Sequence, residues 1–500
     1  MKNNKTLKNI FLVLLSGILI FLSFPYFNLF FLIWLAFVPL FFLIKQEKDL
    51  SLVLFVFIAG LTANIGIFYW IYPMIKFNTK SWIQAFLCLF MLASYLSIYY
   101  VLWALLCKYI KKYFSKWIFC FFAAALWVAL EYGRTYFLSG FPWALLGYSQ
   151  WRYLPLIQIS EYTGVYGVSF LIILCNAFLF HYIKTRKILM LAFFLTVPIV
   201  ISAAGMGVFK KTYVSDTKIK VAVLQGNIDQ YKKWNISYQN EIINIYTNLV
   251  KKVSLEKPDV IIWPETSVPG YLTTDIFLKN WVENLIKESK TYHIIGSPYF
   301  DGSKYYNSTI LFNPEGKIEG IHRKNHLVPF GEYVPLRKIF EPFFGVLNTL
   351  GDFSSAQDSK PFIIKNISFG TTICSENFFG SIVRKFVQNG AQILVNQTND
   401  AWFFKSAAAD QHFIMNVFRA VENRRPVIVC GNTGVSGIIG ARGKIMKRTV
   451  LFTEDYFVYD EKPSSIKTFY SNYGDIFALA CIGFIVLIMI LSIKKKELYP

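Results

Sequence analysis

Long apolar runs, separated by short polar loops, fill the first 209 residues, and one more lies near the C-terminus. A helix needs about 20 apolar residues to cross the hydrocarbon core of a membrane, with a range of about 17–25. Most of these runs contain no charged residue, and so many of them cannot all be buried helices of a soluble protein. The sequence therefore predicts eight membrane spans: Ile10–Phe24, Phe27–Ile44, Leu52–Tyr72, Ile83–Leu106, Trp117–Leu130, Gly164–Ile183, Leu189–Phe209 and Ile476–Ile493.

Between residues 210 and 470 the pattern changes to short strands that alternate with amphipathic stretches, which is typical of an α/β domain. The turn signal Asn313-Pro314-Glu315-Gly316 joins two strands in a hairpin and so indicates a mixed sheet. Strands are predicted at Lys218–Gln225, Asp259–Trp263, His293–Gly296, Tyr306–Phe312, Lys317–His322, Ile367–Cys374, Gln392–Asn396, Val427–Cys430 and Val435–Gly440. Helices are predicted at Tyr238–Ser254, Ile276–Glu288, Ser381–Gln388 and Ala408–Asn423. We therefore expect a membrane part (1–209), an α/β domain (210–470), and a last span with a basic tail (471–500).

Composition and charge refine this arrangement. The chain is 55% hydrophobic and only 16% charged, whereas soluble domains carry about 25% charged residues. A net charge of +21 can indicate nucleic-acid binding, but here the cations follow the loops between spans, so no nucleic-acid partner is expected. Taking the N-terminus as cytoplasmic, the inside set is Lys2, Lys5, Lys8, Lys45, Lys48, Lys108, Lys111, Lys112, Lys116, Lys184, Arg186, Lys187, Lys494, Lys495 and Lys496. The smaller outside set is Lys76, Lys80, Arg134, Arg152, Lys210 and Lys211.

This distribution follows the positive-inside rule and predicts that the α/β domain lies outside the cytoplasm. The basic N-terminus followed by an apolar run also fits a signal peptide. No small-residue cleavage site follows it, however, because the chain reads Ser23-Phe24-Pro25-Tyr26. We interpret it as an uncleaved first span.

Three chemically capable side chains come at the ends of predicted strands in the α/β domain: Glu265, Lys324 and Cys374. Ligands bind at strand ends in α/β folds. Taken singly, each residue is ordinary, since loop acids and lysines are usually solvated and a lone cysteine usually packs in a core. In an oxidising compartment Cys374 can also pair with Cys430 in a disulfide. No cysteine or histidine spacing fits a zinc site, and we expect neither a metal nor a cofactor.

Several motifs set these residues in a specific order. In the α/β domain they are Gln225-Gly226-Asn227-Ile228 with Trp234, Trp263-Pro264-Glu265-Thr266, Lys324-Asn325-His326-Leu327-Val328-Pro329-Phe330-Gly331-Glu332, Cys374-Ser375-Glu376, Asn399-Asp400-Ala401-Trp402-Phe403, and Glu422-Asn423-Arg424-Arg425-Pro426 before Asn432-Thr433-Gly434. In the membrane part they are Gly140-Phe141-Pro142-Trp143 and Gly147-Tyr148-Ser149-Gln150. Over nearly the whole chain this order resembles the apolipoprotein N-acyltransferases, a membrane-bound family of the nitrilase superfamily.

The resemblance implies a multi-pass helical membrane domain of about eight spans and a nitrilase-like α-β-β-α sandwich. It implies acyl transfer in the bacterial inner membrane, with the catalytic domain on the periplasmic side. The donor would be a membrane phospholipid, and the acceptor the α-amino group of the lipidated N-terminal cysteine of an apolipoprotein. Cys374 would be the nucleophile that forms a thioester, Glu265 its base, and Lys324 the cation at the oxyanion. We expect a monomer.

Further residues have expected supporting roles. Glu332 is expected to orient Lys324 or Glu265, and Glu376 and Ser375 to support the loop of the nucleophile. Expected substrate-binding residues are Trp234, Asn399, Trp402, Phe343 and Phe344, of which the last two lie in an apolar stretch, Ile339–Leu347, that would gate lipid entry. The family usually has Tyr where this chain has Ser375, and Gly where it has Phe404. His326 and His412 are interpreted as structural.

Two other functions fit parts of the pattern. A membrane-tethered nitrilase-type amidase would release the thioester to water, but hydrolysis of small amides needs no eight-span frame. A non-enzymatic transporter would often carry internal repeats or charges inside its spans, and the spans show neither clearly.

Overall fold

The computed structural model describes residues 2–210, 217–335 and 353–498. The chain divides into two compact units: unit 1 comprises 1–211 and 473–500, and unit 2 comprises 212–472. The predicted gate, with Phe343 and Phe344, lies outside the described residues.

Unit 1 is entirely helical in its described part. Its α-helices before unit 2 are α1 (Lys2–Leu22), α2 (Ile33–Ala36), α3 (Val38–Gln46), α4 (Asp49–Phe68), α5 (Ile71–Thr79), α6 (Trp82–Ile110), α7 (Lys116–Tyr136), α8 (Leu154–Ile157), α9 (Ser160–Thr163), α10 (Val165–Thr185) and α11 (Ile188–Lys210). The C-terminal helix, Ile476–Leu498, completes the unit. Seven described helices are long and apolar enough to cross a membrane: α1, α4, α6, α7, α10, α11 and the C-terminal helix.

The second predicted span, Phe27–Ile44, is not one continuous helix. A short 3₁₀ turn, α2 and α3 replace it, together forming an apolar segment Phe30–Lys45. Pro39 stands in the first turn of α3. Proline has no backbone N–H to donate, and its ring crowds the carbonyl four residues earlier, so a helix tends to break just before it. The break is supplied with hydrogen bonds from other helices: Asn176 bonds both Phe37 N–H and Ile33 C=O, and the Ser16 hydroxyl donates to Ala36 C=O. Backbone groups at membrane depth need such internal partners.

Contacts within unit 1 bring several helix ends together at what we call the basic end. Lys5 pairs with Glu47 at 2.8 Å, and Lys108 pairs with Asp49 at 2.7 Å. The Lys495 ammonium donates to Tyr113 C=O at 3.1 Å. The start of α1, the end of α3, the end of α6 and the C-terminal helix therefore meet at this end. Because α1 starts there and α3 ends there, the broken segment Phe30–Lys45 returns the chain to the side from which α1 left.

Unit 2 contains two six-stranded mixed sheets. The first has the order β12-β1-β2-β3-β4-β5 and the second β11-β10-β9-β8-β7-β6. β1, β2 and β3 run parallel, as do β7, β8 and β9. The strands are β1 (Ile219–Gln225), β2 (Val260–Ile262), β3 (Tyr292–Phe300), β4 (Tyr305–Phe312), β5 (Ile318–Arg323), β6 (Phe362–Ile364), β7 (Ile367–Ile373), β8 (Ile393–Thr398), β9 (Val427–Gly431), β10 (Gly437–Ile439), β11 (Ile445–Arg448) and β12 (Asp455–Glu461).

The two sheets face each other across an apolar core that includes Val221 and Ile262 from the first sheet and Phe369, Val395 and Ile428 from the second. The outer helices are α12 (Gln239–Ser254), α13 (Ile276–Ser289), α14 (Gly380–Gln388) and α15 (Ala407–Asn423), and a short helix, Phe469–Tyr473, precedes the C-terminal helix. α12 and α13 pack on the first sheet, and α14 and α15 on the second. The α-β-β-α prediction is confirmed. Three strands were not predicted. β6 and β11 are short and partly exposed, and apolar and polar residues alternate only weakly along β12.

Candidate active site

Cys374 stands at the end of β7, where the chain turns from the strand into a 3₁₀ helix, Cys374–Phe378. Its φ is +50°, a left-handed conformation that costs a non-glycine residue about 1–3 kcal/mol. Hydrogen bonds from two side chains hold it there: the Cys374 C=O accepts from Asn396 Nδ2 at 3.1 Å and from His412 Nε2 at 3.2 Å. Such strain in a fixed turn is typical of a functional residue. The turn places Cys374, a partly buried residue, at the end of a buried strand.

Glu265 and Lys324 reach the same site from the first sheet. The Lys324 ammonium lies 3.9 Å from Glu265 Oε1 and 2.8 Å from Glu332 Oε2. Asn307 joins the two acids, donating to Glu265 Oε1 at 2.8 Å and to Glu332 Oε1 at 2.7 Å. All four residues are at least nine-tenths buried. Glu332 is therefore the closer partner of Lys324, and Glu265 keeps one oxygen outside these contacts.

Burial and charge set the protonation of the three central groups. Burial raises the pKa of Glu265 above its usual 4.5, and the neighbouring Lys324 only partly offsets this. Burial also raises the pKa of the Cys374 thiol well above 9.0; the Glu265 charge raises it further, while Lys324 opposes the rise. For Lys324 burial favours the neutral amine, but the negative charges of Glu332, Cys374 and Glu265 together raise its pKa above 10.5. These shifts favour the neutral thiol of Cys374 and the charged ammonium of Lys324.

Glu376 connects the end of β7, next to Cys374, to the segment that follows Lys324. Its carboxylate accepts from Ile373 N–H at 2.7 Å on one side and from Asn325 N–H at 2.6 Å on the other. His322 Nε2 lies 3.2 Å from the same carboxylate. Burial raises the pKa of Glu376, but the charge and hydrogen bond of His322, with the two backbone bonds, lower it overall. A single buried acid therefore couples β7 to the segment that carries Lys324.

The sequence analysis named His412 only as a structural residue and did not predict its position beneath Cys374. His412 on α15 lies with Nδ1 2.8 Å from Asp400 Oδ1 and Nε2 3.2 Å from Cys374 C=O. Its interpretation as a structural residue fits this contact with backbone rather than with the thiol. Asp400 stands in the Asn399–Phe403 motif, so the motif marked the segment, but nothing in it indicated the distant histidine.

Lys233 was also missed. This lysine is only 2% exposed, and its ammonium donates to Thr266 Oγ1 at 2.7 Å and to Glu265 C=O at 3.3 Å. Burial lowers the pKa of Lys233 to about 7, against the opposing attraction of Glu265. Thr266 has a left-handed φ of +45°. Lys233 therefore stabilises the strained turn that carries Glu265. In the sequence, the only feature that could have drawn attention to Lys233 was its position next to Trp234.

The other expected site residues lie at varied depths. Asn399 is buried and bonded to Gln230 and Asn432, and Ser375 is buried next to the nucleophile. Trp234 is 50% exposed and Trp402 40% exposed; Trp402 contacts Tyr231 edge to face. The disulfide alternative is wrong, because Cys374 and Cys430 are both free and the Cys430 thiol donates to Leu224 and Ile262 carbonyls in the core.

Comparisons with known proteins match both units. Residues 220–469 match the carbon-nitrogen hydrolase family, and residues 16–178 match the apolipoprotein N-acyltransferase N-terminal domain. The chain is 39% identical to the apolipoprotein N-acyltransferase of Geobacter metallireducens, across 98% of this chain and 96% of that one. It is 31% identical to that of Haemophilus influenzae, across 97% and 95% of the two chains. Among solved structures, Saccharomyces cerevisiae Nit3, of the nitrilase superfamily, aligns with a TM-score of 0.39 and 19% identity, over 50% of this chain and 92% of that one.

Proposed function

The chain belongs to the apolipoprotein N-acyltransferase family, and from this premise we propose that Cys374, Glu265 and Lys324 carry its acyl transfer. The observation that supports this assignment most directly is their convergence from opposite sheets. The thiol ends β7 in one sheet, and the acid and the ammonium follow β2 and β5 in the other. The charges of both partners act on the thiol.

In the first half-reaction Cys374 Sγ attacks the ester carbonyl of a phospholipid. Glu265 accepts the thiol proton as the S–C bond forms, and the carbonyl oxygen becomes an oxyanion. Lys324, held by Glu332, supplies positive charge to that oxyanion. Glu265 then returns the proton to the departing glycerol oxygen, leaving a thioester on Cys374 and a lysophospholipid.

In the second half-reaction the α-amine of a diacylated lipoprotein attacks the thioester. Glu265 takes the proton from the amine, and the thiolate of Cys374 leaves and is reprotonated. The product is an amide, and the enzyme returns to its resting state. A buried carboxylate with a raised pKa suits both directions of proton transfer, since its pKa lies nearer to neutral pH.

Unit 2 is proposed to work on the periplasmic side of the bacterial inner membrane. The contacts at the basic end support this orientation, because they gather cations from the predicted inside set, such as Lys5, Lys108 and Lys495, at one end of unit 1. Basic residues concentrate on the cytoplasmic side of membrane proteins. A monomer remains the proposal for the oligomeric state.

Variant kinetics test the assignment. Transfer from phospholipid to a diacylated peptide is measured for the wild type, Cys374→Ala, Glu265→Gln and Lys324→Met. Each single variant should lose at least about a thousandfold in kcat/KM, because groups that act as one unit fail together. For the same reason Cys374→Ala/Glu265→Gln should be no slower than Cys374→Ala alone. Losses that multiply in the double variant would contradict a shared mechanism.

The amidase alternative is tested with the same materials. With the peptide amine acetylated, a transferase should stall after one acyl chain per enzyme. Continued release of free fatty acid at the transfer rate would instead identify water as the acceptor.

A further inference from the structure

A cavity with basic walls lies at the basic end of unit 1, and the proposed chemistry makes no use of it. The turn between α6 and α7 and the turn between α10 and α11 form it. Its volume is about 610 Å³, and ligand pockets commonly measure about 300–1,000 Å³. Four lysines line it, Lys111, Lys116, Lys184 and Lys187, together with His181.

The positive charge of this cavity is not neutralised within the described part of unit 1. No aspartate or glutamate lines it, and none of the ion pairs described includes any of the four lysines. The Lys111 ammonium is buried without a hydrogen bond, between the rings of Phe119 and Phe180 at 5.9 and 5.7 Å. Burial, then repulsion from Lys184 and Lys45, lowers the pKa of Lys111 to about 8. A bound anion would relieve this repulsion.

His181 gives an independent indication of a polar ligand. It is 3% exposed, and neither ring nitrogen makes a hydrogen bond to any residue that the structure describes. Its ring packs edge-on against Phe119 at 5.7 Å and faces the cavity. Buried polar groups are nearly always hydrogen-bonded, so a ligand that accepts a hydrogen bond fits here. α7 and α11 also begin at this cavity with no acid in their first turns, and helix N-termini favour anions.

The apolar part of the wall indicates what kind of anion is bound. Trp117, Leu189 and Met190 line the cavity beside the lysines. Leu189 is 53% exposed, and only 17% of the α11 span is buried inside the unit. The cavity therefore continues onto a helix face suited to lipid chains, which a free inorganic anion would leave uncovered.

We propose that this cavity binds the phosphate headgroup of an anionic phospholipid, with the acyl chains lying along α11. This site is distinct from the cysteine chemistry of unit 2. The headgroup contacts both the α6–α7 turn and the α10–α11 turn. Basic pockets between membrane helices bind anionic lipid headgroups in this way.

Native mass spectrometry of the full chain tests this proposal. All proteins carry Cys374→Ala, so that no lipid is consumed, and phosphatidylglycerol is titrated against a phosphatidylcholine background. The cavity variant is Lys116→Gln/Lys184→Gln/Lys187→Gln, whose lysines are all exposed, and the unfolding temperature is recorded alongside. Phosphatidylglycerol should bind the cavity variant at least about tenfold more weakly than the parent protein.

The matched control is Lys112→Gln/Arg186→Gln/Lys494→Gln, which removes the same charge from exposed positions outside the cavity lining. It should bind phosphatidylglycerol like the parent. Equal weakening in both variants would mean general attraction to a basic surface and would overturn the site, as would undiminished binding in the cavity variant. Complete displacement of the lipid by inorganic phosphate would overturn the assignment to a lipid in favour of a free phosphate site.

Discussion

At the scale of single residues, the site depends on an unequal sharing of one cation between two acids. Lys324 is 2.8 Å from Glu332 and 3.9 Å from Glu265, so Glu332 holds the ammonium while Glu265 stays available for its proposed role as the base. The Glu332 charge also raises the pKa of Glu265, whereas the Lys324 charge lowers it. Glu332 and Lys324 therefore shift the pKa of Glu265 in opposite directions.

Glu332→Gln should move the acid limb of the pH–rate profile to lower pH. Glu265 must be ionised to accept a proton, so the rate falls as pH drops through its raised pKa, above 4.5. Removing the Glu332 charge lowers that pKa. The rate itself should fall about a hundredfold, because Lys324 loses its anchor. The rate of thioester formation, measured across pH, checks this. Lys324→Gln should move the acid limb to higher pH. An acid limb at the wild-type pH in both variants would show that neither charge sets the pKa of Glu265.

Part of this site could be predicted from the sequence. The three central residues occur in motifs, each at a strand end, and their order along the chain is specific. The places of His412, Asn307 and Lys233 in the site could not be predicted this way, because they depend on partners more than thirty residues away. Hydrogen bonds of that range leave no periodic or local pattern in a sequence.

At the scale of elements, close packing of strands holds Glu265 in place. Gly296 on β3 lies against the Pro264–Thr266 turn: a Cβ there would stand 2.3 Å from Pro264 O and 2.7 Å from Glu265 Cα. Both atoms are backbone, so no side-chain movement relieves the clash. The glycine therefore allows the turn to approach the sheet.

Gly296→Ala should displace Glu265 and cut kcat/KM by about a hundredfold, the effect of misplacing a catalytic group by about 1 Å. The control is Gly440→Ala, where the nearest atom to a new Cβ lies at 3.7 Å, an ordinary contact. Steady-state transfer rates and unfolding temperatures of both variants check this. Wild-type activity in Gly296→Ala would mean that the turn does not position the base.

At the scale of the whole molecule, hydrophobicity predicted the membrane segments well because it adds up along a run of residues. It did not predict the break at Phe37, which Asn176 and Ser16 stabilise from other helices. Despite the break, Lys5 and Glu47 meet, so the segment still reverses the chain. The chain therefore crosses the membrane an even number of times between the start of α1 and the end of α3, as the distribution of basic residues requires.

Cysteine labelling tests the proposed orientation. In a Cys88→Ser/Cys374→Ser background, whose five remaining cysteines are all buried, one cysteine at a time is introduced at Ser303 in unit 2 or Lys112 at the basic end, both exposed. A membrane-impermeant maleimide added to cells with a permeable outer membrane should label position 303 at once and position 112 only after lysis. The reverse pattern would place unit 2 in the cytoplasm.

The most direct test of the central claim is intact-mass analysis of the full chain mixed with phospholipid and no acceptor. The wild type should gain the mass of one acyl chain, labile to hydroxylamine and mapped to Cys374, and should lose it when a diacylated peptide is added, with the peptide gaining the same mass. Cys374→Ala should show no adduct. Acyl transfer to the peptide by Cys374→Ala, or an adduct on another residue that passes to the peptide, would contradict Cys374 as the acyl carrier.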